Sequence, residues 1–348
     1  MSSERILVLG AGELGLAVIR ALSAYVKRGG AATRATISVL LRESTLTARP
    51  ALSRELHALG ISNIETADVA ASSVEALAHL FSRYDTIVSC NGLTLPPGTQ
   101  LKLVEAVIQS AGVALGERGT EQRQQQPKKR YFPWQFGVDY DTIGRGSAQD
   151  LFDEQLAVRD RLRSPVAAAA GVDWTIITTG LFMSFLFRAD FGIVDIGART
   201  VRALGAWDQK LTVTDVADIG AAVAEAAFYP PLPGQGWDGG KAEEDQNGRV
   251  LFIAGDTLSY AQIADLVNGR YAADGGSTFE RVLWDIPALE RQKDKDQNLF
   301  MFKYRAMFAR GKGIAWEKAG TFGERRALKM TNVNTYLHRL DEEGQLTV

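Results

Sequence analysis

The residues with the clearest chemical meaning lie near the start of the chain, where glycines at 10, 12 and 15 follow the apolar run 6–9. Gly10 permits a tight turn, Gly12 lets backbone approach a pyrophosphate, and Gly15 lets the next helix pack closely on the strand. The N–H groups that begin this helix would face the phosphates. The turn predicts a dinucleotide site that includes Gly10, Gly12, Glu13, Leu14 and Gly15. The alternative is a sharp strand-to-helix turn in another kind of α/β protein.

The residues after the second predicted strand, 36–41, indicate which dinucleotide binds. A site that prefers NAD has Asp or Glu there to bind the ribose hydroxyls, whereas this chain has Arg42, Glu43 and Ser44. A guanidinium suits a 2′-phosphate, and the hydroxyl of Ser44 is a further donor. A solvated Arg42, or a Glu43 that binds ribose in an NAD enzyme, is the alternative. We predict NADPH as the cofactor, with Arg42 and Ser44 among its contacts.

Bulk composition excludes several classes of function. The chain has 348 residues, a formal net charge of −2 and one cysteine, Cys90. This charge gives no reason to expect nucleic acid or an anionic membrane as a partner. An internal disulfide is impossible, the start of the chain leaves no room for a signal peptide, and no apolar run reaches membrane-spanning length. We expect a cytoplasmic monomer or homodimer that binds a small-molecule substrate.

Strands and helices alternate along the first part of the chain. Apolar patterns predict strands near 5–9, 36–41, 62–66 and 85–90 and helices near 14–28, 48–60, 73–82 and 100–111. They predict an α/β fold of the Rossmann type, a doubly wound parallel sheet with ligands at the carboxyl ends of its strands. Asn91 and Gly92 follow the fourth strand and are candidate cofactor contacts. We predict a nucleotide-binding domain over 1–180 and a smaller, mixed substrate-binding domain over 181–348.

One polar segment, 116–129, interrupts this alternation before the fifth strand. It contains three consecutive glutamines and has no apolar periodicity. Such a segment buries too little apolar surface to offset its ordering entropy, so it is predicted to be a mobile surface loop. A lid near the strand ends is the alternative. Proteases are expected to cut first within it, at Arg118, Arg123, Lys128 or Lys129.

The segment 131–137, YFPWQFG, is similar to the FxPSEFG segment of the isoflavone-reductase-like, or NmrA-like, family of atypical short-chain dehydrogenases, in its fungal form. Segments 39–45, 173–182 and 211–220 extend this resemblance, which covers most of 5–260. It implies an NADPH-dependent reductase of a phenolic or related specialised metabolite. It also adds Phe136 and Phe182 to the candidate cofactor contacts.

The same resemblance raises a question about catalysis. The family's acid/base lysine lies on the helix after this segment, four residues before an arginine. That helix is predicted to begin here with Ser147 as N-cap, Arg159 matches the arginine, and Gln155 stands at the lysine position. An amide donates a hydrogen bond but releases no proton at useful pH. Gln155 is therefore predicted to orient the substrate, while Tyr140, a nearby carboxylate, water or the substrate itself handles the proton.

Three functions fit these residues. We favour an NADPH-dependent reductase of an aromatic or alkaloid-like metabolite that carries an iminium or an activated C=C or C=O bond. The alternatives are an NADP(H)-binding regulator or sensor, and a cofactor-bound cyclase or isomerase without net redox chemistry. Trp134, Met183 and Phe185 are the candidate substrate-pocket residues, although ordinary core packing would explain large apolar side chains equally well. The histidines lie outside every motif, so no metal site is expected.

Overall fold

The computed structural model describes residues 3–29, 34–116, 128–230, 247–271, 278–295 and 300–342. The chain forms two compact units, each of three segments. The first unit is Met1–Gln135, Ala157–Ile177 and Ile219–Leu251, and the second is Phe136–Leu156, Thr178–Asp218 and Phe252–Val348. These segments do not follow a single boundary at residue 180. The assignment of nucleotide binding to 1–180 and substrate binding to 181–348 stays a prediction.

The strands, in chain order, are β1 (Glu4–Leu9), β2 (Ala35–Leu41), β3 (Asn63–Thr66), β4 (Thr86–Ser89), β5 (Lys129–Phe132), β6 (Val172–Thr178), β7 (Leu181–Phe182), β8 (Val194–Asp195), β9 (Thr200–Leu204), β10 (Lys210–Thr214), β11 (Gly248–Phe252), β12 (Asp256–Ser259) and β13 (Glu280–Trp284).

The helices are α1 (Glu13–Gly29), α2 (Glu43–Ala48), α3 (Pro50–Ala58), α4 (Val74–Phe81), α5 (Thr99–Gly116), α6 (Tyr140–Ile143), α7 (Leu151–Leu162), α8 (Pro165–Ala169), α9 (Met183–Leu186), α10 (Val216–Phe228), α11 (Tyr260–Tyr271), α12 (Ile286–Lys295), α13 (Phe300–Phe308), α14 (Phe322–Arg325) and α15 (Val333–Glu342).

The first unit is built on a parallel sheet. Among the described residues, seven strands form it in the order β11-β6-β5-β4-β1-β2-β3. The pairs from β6 through to β3 are parallel, and Leu9 at the end of β1 lies opposite Leu40 and Ser89. The carboxyl ends of β1, β2 and β4 therefore lie at one edge. The predicted α/β fold with a parallel sheet is confirmed.

The core of the first unit explains why its central strand, β1, is mostly apolar. Leu7, Leu9 and Ile87 are completely buried and pack with residues of α4 and α5, such as Phe81 and Leu103. A strand covered on both faces has no solvent side, so apolar residues need not alternate with polar ones. This is the pattern that made β1 and β4 recognisable in the sequence.

The predicted helix over 48–60 corresponds to α3 (Pro50–Ala58), and a short helix that was not predicted, α2 (Glu43–Ala48), precedes it. Pro50 begins α3, and its ring disfavours the helical conformation at the preceding residue. Arg49 accordingly has φ −129° and ψ 67° and separates α2 from α3. The chain therefore turns just after the predicted 2′-phosphate residues.

Serines lie near the starts of α7 and α11, but only one of them caps its helix. The predicted N-cap at Ser147 is wrong: α7 begins at Leu151, and the Ser147 hydroxyl instead bonds within its own turn, to the backbone of Gln149. A serine does cap α11, since the Ser259 Oγ accepts a hydrogen bond from the N–H of Gln262 at the beginning of that helix. Serine serves equally well in a turn and at a cap, so its presence alone does not fix a helix start.

The second unit has smaller sheets. In the described residues these are two three-stranded sheets, β12-β10-β7 and β13-β9-β8. The pairs β10·β12 and β8·β9 are antiparallel, whereas β10·β7 and β13·β9 are parallel, so the sheets are mixed as predicted. Their core includes Phe191, Leu211 and Phe308.

The predicted loop 116–129 lies mostly outside the described residues, which exclude 117–127, so its mobility and cleavage at Arg118 or Arg123 stay predictions. The predicted end of this loop, at residue 129, is wrong. Lys129 begins β5, and its buried ammonium donates to the carbonyl oxygens of Phe81, at 2.9 Å, and Tyr84. A residue held in this way is not an accessible cleavage site. Over the described chain, none of the helices combines the length and apolar character needed to cross a lipid bilayer.

Candidate functional site

The glycine turn of the first unit has the geometry that its sequence predicts. Gly10 has φ +94°, and its N–H donates to the Leu40 carbonyl at 3.0 Å, which ties the turn to β2. A Cβ at Gly15 would lie 2.1 Å from the Gly10 oxygen, so α1 packs too closely for any side chain there. Beneath it lies Cys90, whose thiol pKa is raised by burial and which therefore stays protonated.

Gly12 differs from Gly10 and Gly15 because the space that a side chain would occupy is empty of protein atoms. A Cβ at this position would meet no protein atom within 4 Å, although the Gly12 carbonyl already accepts the first bond of α1, from the N–H of Leu16 at 2.9 Å. Exposed backbone at the N-terminus of a helix is the usual cradle for a phosphate. Glu13 is exposed and Leu14 is buried at the same helix start.

Asn91 brings a polar side chain over the turn. Its carboxamide packs against Gly10, so that a Cβ added to Gly10 would lie only 2.9 Å from Asn91 Cγ and Oδ1. Its Oδ1 is buried and has no hydrogen-bond partner within the described part of the chain, whereas its backbone oxygen accepts from Gln100 Nε2 at 3.0 Å. A buried acceptor without a partner is costly, and a donor on a bound ligand would relieve that cost.

Gly92 and Trp134 form the next part of this edge. The Trp134 indole lies on the backbone of Gly92, where an added Cβ would be 1.9 Å from the ring atom Cδ2. Trp134 is half-buried and follows β5, the strand that pairs with β4. Two predicted site residues that are distant in sequence are therefore adjacent in the first unit.

The predicted 2′-phosphate residues lie on the surface at the end of β2. Arg42 precedes the first turn of α2 and Ser44 is within it, and both are exposed. Sequence reasoning missed a second guanidinium: Arg49 donates from Nη1 to the Ala11 carbonyl, in the glycine turn, at 3.2 Å. The signal that could have found it is Pro50, which ends α2 and redirects the chain.

The candidate catalytic residues lie in the second unit and are buried. Gln155 is fully buried on α7, so its side chain is not on a solvent-facing surface. Tyr140 packs edge-on against Phe152, with ring centres 4.9 Å apart, and its hydroxyl lies 2.5 Å from where a Cβ of Gly137 would be. Burial, and to a lesser degree the charge of an ionised Tyr140, raises the pKa of the nearby Tyr304 hydroxyl. The Tyr304 hydroxyl therefore stays protonated near neutral pH.

Arg159, the arginine that follows Gln155 on α7, belongs to the first unit. It is fully buried, and its Nε donates to Gln135 Oε1 at 2.7 Å. Gln135 lies in the segment YFPWQFG, so this bond connects the most distinctive motif of the sequence with the helix that follows it. The catalytic roles of Gln155 and Tyr140 stay predictions.

The predicted aromatic residues of the second unit differ in exposure. Phe182 and Phe185 are partly exposed and meet edge to face, with ring centres 6.3 Å apart. Met183 is fully buried in the core of this unit, and Phe136 is also buried. Their contacts with cofactor or substrate stay predictions.

A separate groove of about 620 Å³ lies along α11 and α15 of the second unit. None of the predicted pocket residues lines it; its lining includes Gln262, Asp265, Arg270 and His338. No group of three or more His, Cys, Asp or Glu side chains in the described ranges could hold a metal ion.

Comparison with known proteins identifies relatives of this chain. No family model matches it. An NmrA-like family domain-containing oxidoreductase from Gibberella moniliformis is 44% identical over 339 residues, which is 96% of this chain and 97% of that protein.

Solved structures show the same fold at low sequence identity. AtPrR2 with NADP⁺ and (+)pinoresinol has a TM-score of 0.69 at 16% identity, covering 97% of this chain and 98% of that one. An isoflavone reductase has a TM-score of 0.68 at 18% identity, covering 97% and 100%. The leucoanthocyanidin reductase–NADPH complex from Vitis vinifera has a TM-score of 0.65 at 15% identity, covering 96% and 98%. The identity with the Gibberella protein extends over nearly the whole of both chains, so the protein belongs to the NmrA-like family of oxidoreductases.

Proposed function

We propose that this protein is an NADPH-dependent reductase of a small aromatic or alkaloid-like molecule. The observation that carries the proposal is the glycine turn, where no protein atom fills the side-chain position of Gly12 and the buried, unpartnered Oδ1 of Asn91 lies against Gly10. A dinucleotide supplies both a phosphate for the first and donors for the second. AtPrR2 with NADP⁺ and the leucoanthocyanidin reductase–NADPH complex share this fold, which supports the same class of cofactor.

The preference for NADPH rests on Arg42. An exposed guanidinium at the end of β2, next to the strand that leads into the glycine turn, can bind a 2′-phosphate through two parallel hydrogen bonds. Ser44 would add a hydroxyl donor. Glu43, the residue that could favour NAD, lies in the first turn of α2 and is exposed.

The substrate must need little acid catalysis. The reduced nicotinamide supplies a hydride, and the chain must stabilise whatever negative charge develops on the acceptor. Gln155 offers an amide donor that gives up no proton, and its two neighbours in the sequence, Glu154 and Leu156, are a carboxylate and an apolar residue. An iminium carries its own positive charge, and a strongly polarised enone needs only a hydrogen bond. Gln155 would orient such a group, with Tyr140 as a further donor.

Aromatic side chains support the choice of an aromatic substrate. Trp134 presents a half-buried indole at the carboxyl edge of the first unit's sheet, and Phe182 and Phe185 are partly exposed in the second unit. Indole faces bind flat aromatic rings and cations, which would include an iminium.

The glutamine at position 155, where the family has its acid/base lysine, also favours two functions without net redox chemistry. A protein that binds NADP(H) as a regulator or sensor, or that catalyses cyclisation or isomerisation without net redox change, has no need of the lysine. Turnover separates these functions, because only a reductase consumes NADPH in proportion to product.

The experiment begins with calorimetric titration of the purified protein with NADPH and NADH. We expect tighter binding of NADPH, and we expect Arg42→Ala to weaken it roughly ten- to a hundredfold with little change for NADH. Arg54→Ala, at an exposed arginine of α3, is the matched control for charge. Oxidation of NADPH is then followed with cyclic iminium ions, aryl enones and simple ketones. Consumption with the first two classes supports the proposal, and equal affinity for the two nucleotides contradicts it.

A further inference from the structure

Phe182 and Phe185, which we call the aromatic wall, lie on a very short segment of the second unit. Phe182 ends β7, a strand of two residues, and Phe185 is in α9, a helix of four. Elements as short as these are not stable by themselves, so their conformation depends on the residues that pack around them. The position of the aromatic wall is therefore set from outside its own segment.

One end of this segment is held by β10. Phe182 pairs in parallel with Thr214, the last residue of that strand. The next residue, Asp215, is almost completely buried, and its Oδ2 forms an ion pair with Arg339 Nη2 of α15 at 2.7 Å. Because a buried carboxylate without a charged partner is costly, this ion pair fixes α15 to the strand that holds Phe182.

The other end of the segment is held by α15 itself. The N–H of Phe187 donates to the Ser184 carbonyl at 3.3 Å, which joins Phe187 to α9. The ring of Phe187 stacks on that of Tyr336, with ring centres 5.7 Å apart and planes inclined by 16°. The Arg339 guanidinium lies over the same tyrosine ring, 4.9 Å from its centre. Two neighbouring side chains of α15 therefore connect to both ends of the segment 181–187.

The start of α15 is fixed against the same sheet. The N–H of Val333 donates to Asp256 Oδ2 at 3.1 Å, and Asp256 begins β12, the neighbour of β10. Gly255 lies between α9 and the residues before α15, since a Cβ there would be 2.8 Å from Met183 Cε and 2.5 Å from the Thr331 oxygen. A shift of α15 would therefore move the segment that contains the aromatic wall.

We propose that Tyr336 and Arg339 are positioning residues for the aromatic wall, and that through it they set the selectivity of the enzyme for substrates with an aryl ring. The proposal rests on the proposed reductase function, in which the wall binds the aromatic part of the substrate. Phe182 and Phe185 meet edge to face, with centres 6.3 Å apart, and such packing depends on where each ring lies. Displacing the wall should weaken binding of an aryl ring and leave the chemical step unchanged.

The probes are two enones with the same reactive group, benzylideneacetone, which carries a phenyl group, and 3-penten-2-one, which carries a methyl group in its place. Each is titrated calorimetrically into the NADP⁺-loaded protein, which cannot reduce it, and is then assayed by oxidation of NADPH. Tyr336→Leu removes the stacked ring and Tyr336→Phe keeps it. The double variant Asp215→Asn, Arg339→Gln removes both charges, so that no buried charge is left alone. Thr335→Ala, at an exposed residue of α15, is the control.

We expect Tyr336→Leu and the double variant to weaken benzylideneacetone binding roughly two- to tenfold, which is the value of an aromatic contact expressed as affinity. The KM for this enone should rise by the same factor with little change in kcat, and the values for 3-penten-2-one should not change. Tyr336→Phe and Thr335→Ala should match wild type. In a Phe185→Ala background, Tyr336→Leu should have no further effect, because it acts through the wall.

Each other outcome overturns a defined statement. If Tyr336→Leu weakens both enones equally, or lowers kcat alone, the positioning role is wrong. If no variant changes a preference for the aryl enone that wild type has, the inference is wrong and the proposed function stands. If wild type binds benzylideneacetone but oxidises no NADPH with any enone or iminium, the reductase function is wrong, and calorimetry alone decides the inference. Wild type that binds neither enone, or both equally, overturns the inference. Thermal unfolding checks that each variant is folded at the assay temperature.

Discussion

The indole of Trp134 lies directly against the backbone of Gly92, so that a methyl group on residue 92 would lie 1.9 Å from the ring. Glycine at 92 and tryptophan at 134 are therefore a matched pair. The residue that follows β4 has to lack a side chain because the residue that follows β5 has such a large one. Each of the two is a candidate site residue, and their fit makes the contact testable without a substrate.

Gly92→Ala should destabilise the protein, since overpacking of a closely fitted contact costs about 1–3 kcal/mol. The double variant Gly92→Ala, Trp134→Ser should recover most of this free energy of unfolding, measured by urea denaturation. Gly112→Ala in α5 is the control, because its Cβ would meet no atom within 4 Å. If the double variant is as unstable as the two single variants combined, the two residues do not act as a pair.

Gly12→Val and Gly15→Val should fail in different ways. Gly12 has open space where its Cβ would be, so its variant should keep the melting temperature of wild type and lose NADPH binding, because the side chain fills the space for the phosphate. A Cβ at Gly15 would lie 2.1 Å from the Gly10 oxygen, so that variant should unfold more easily. Calorimetry and thermal unfolding report the two effects separately. Normal NADPH binding by a folded Gly12→Val would show that the phosphate lies elsewhere.

Gln155→Ala should reduce turnover or stereochemical control modestly and leave NADPH affinity unchanged, because an amide that only orients a substrate contributes one hydrogen bond, worth about 0.5–1.5 kcal/mol. Gln155→Lys should add reductase activity towards simple ketones, which need a proton donor. Burial would lower the pKa of the new ammonium and bring it towards the working range of an acid catalyst. Loss of NADPH binding in Gln155→Ala would instead assign this side chain to the cofactor.

Lys129 should make the stability of the first unit depend on pH under alkaline conditions. Burial lowers its pKa from 10.5 to about 8, while Asp85 raises this pKa and Arg5 lowers it, each by less than burial does. Between these values the unfolded chain binds more protons than the folded one, so the free energy of unfolding should rise with pH, by at most about 1.4 kcal/mol per pH unit. Below about pH 8 both states are protonated and the effect of this group is constant.

Lys129→Met removes the titrating group and keeps a side chain of similar length. Urea unfolding of wild type and variant between about pH 8 and pH 10 isolates the contribution of Lys129, since the other lysines and tyrosines titrate in both proteins. Wild type should gain stability relative to the variant as the pH rises. Parallel curves would mean that the pKa of Lys129 is not lowered by burial.

Much of the first unit was predictable from its sequence because its signals are local. A strand such as β1 is a short apolar run, and the turn after it needs a glycine at a positive φ, so residues 5–15 contain nearly all the information about their own conformation. The parallel sheet then places Asn91 beside this turn. The start of α3 was also present in the sequence, as Pro50, whereas the short helix α2 before it was not predicted.

The relationships that sequence did not predict join distant residues. Neither the contact of Arg49 with Ala11 nor that of Trp134 with Gly92 leaves any periodic pattern, because each depends on where two loops meet at the edge of the sheet. The cap at Ser147 failed for a related reason, since a serine hydroxyl can bond equally well within a turn. Apolar patterns in the sequence predict individual helices and strands, whereas contacts between loops can be identified only from the assembled fold.

The interleaving of the two units has a consequence for how this chain is synthesised. In the order of the segments, the chain passes from one unit to the other five times. Because β11 pairs with β6 at the edge of the large sheet, a nascent chain that has emerged only as far as β10 still presents β6 as an open edge. Unpaired strand edges promote association with other chains. The nucleotide turn is thus translated well before β11, the last strand of its sheet, which ends at residue 252, and chaperones that shield apolar strand edges are expected to act during that interval.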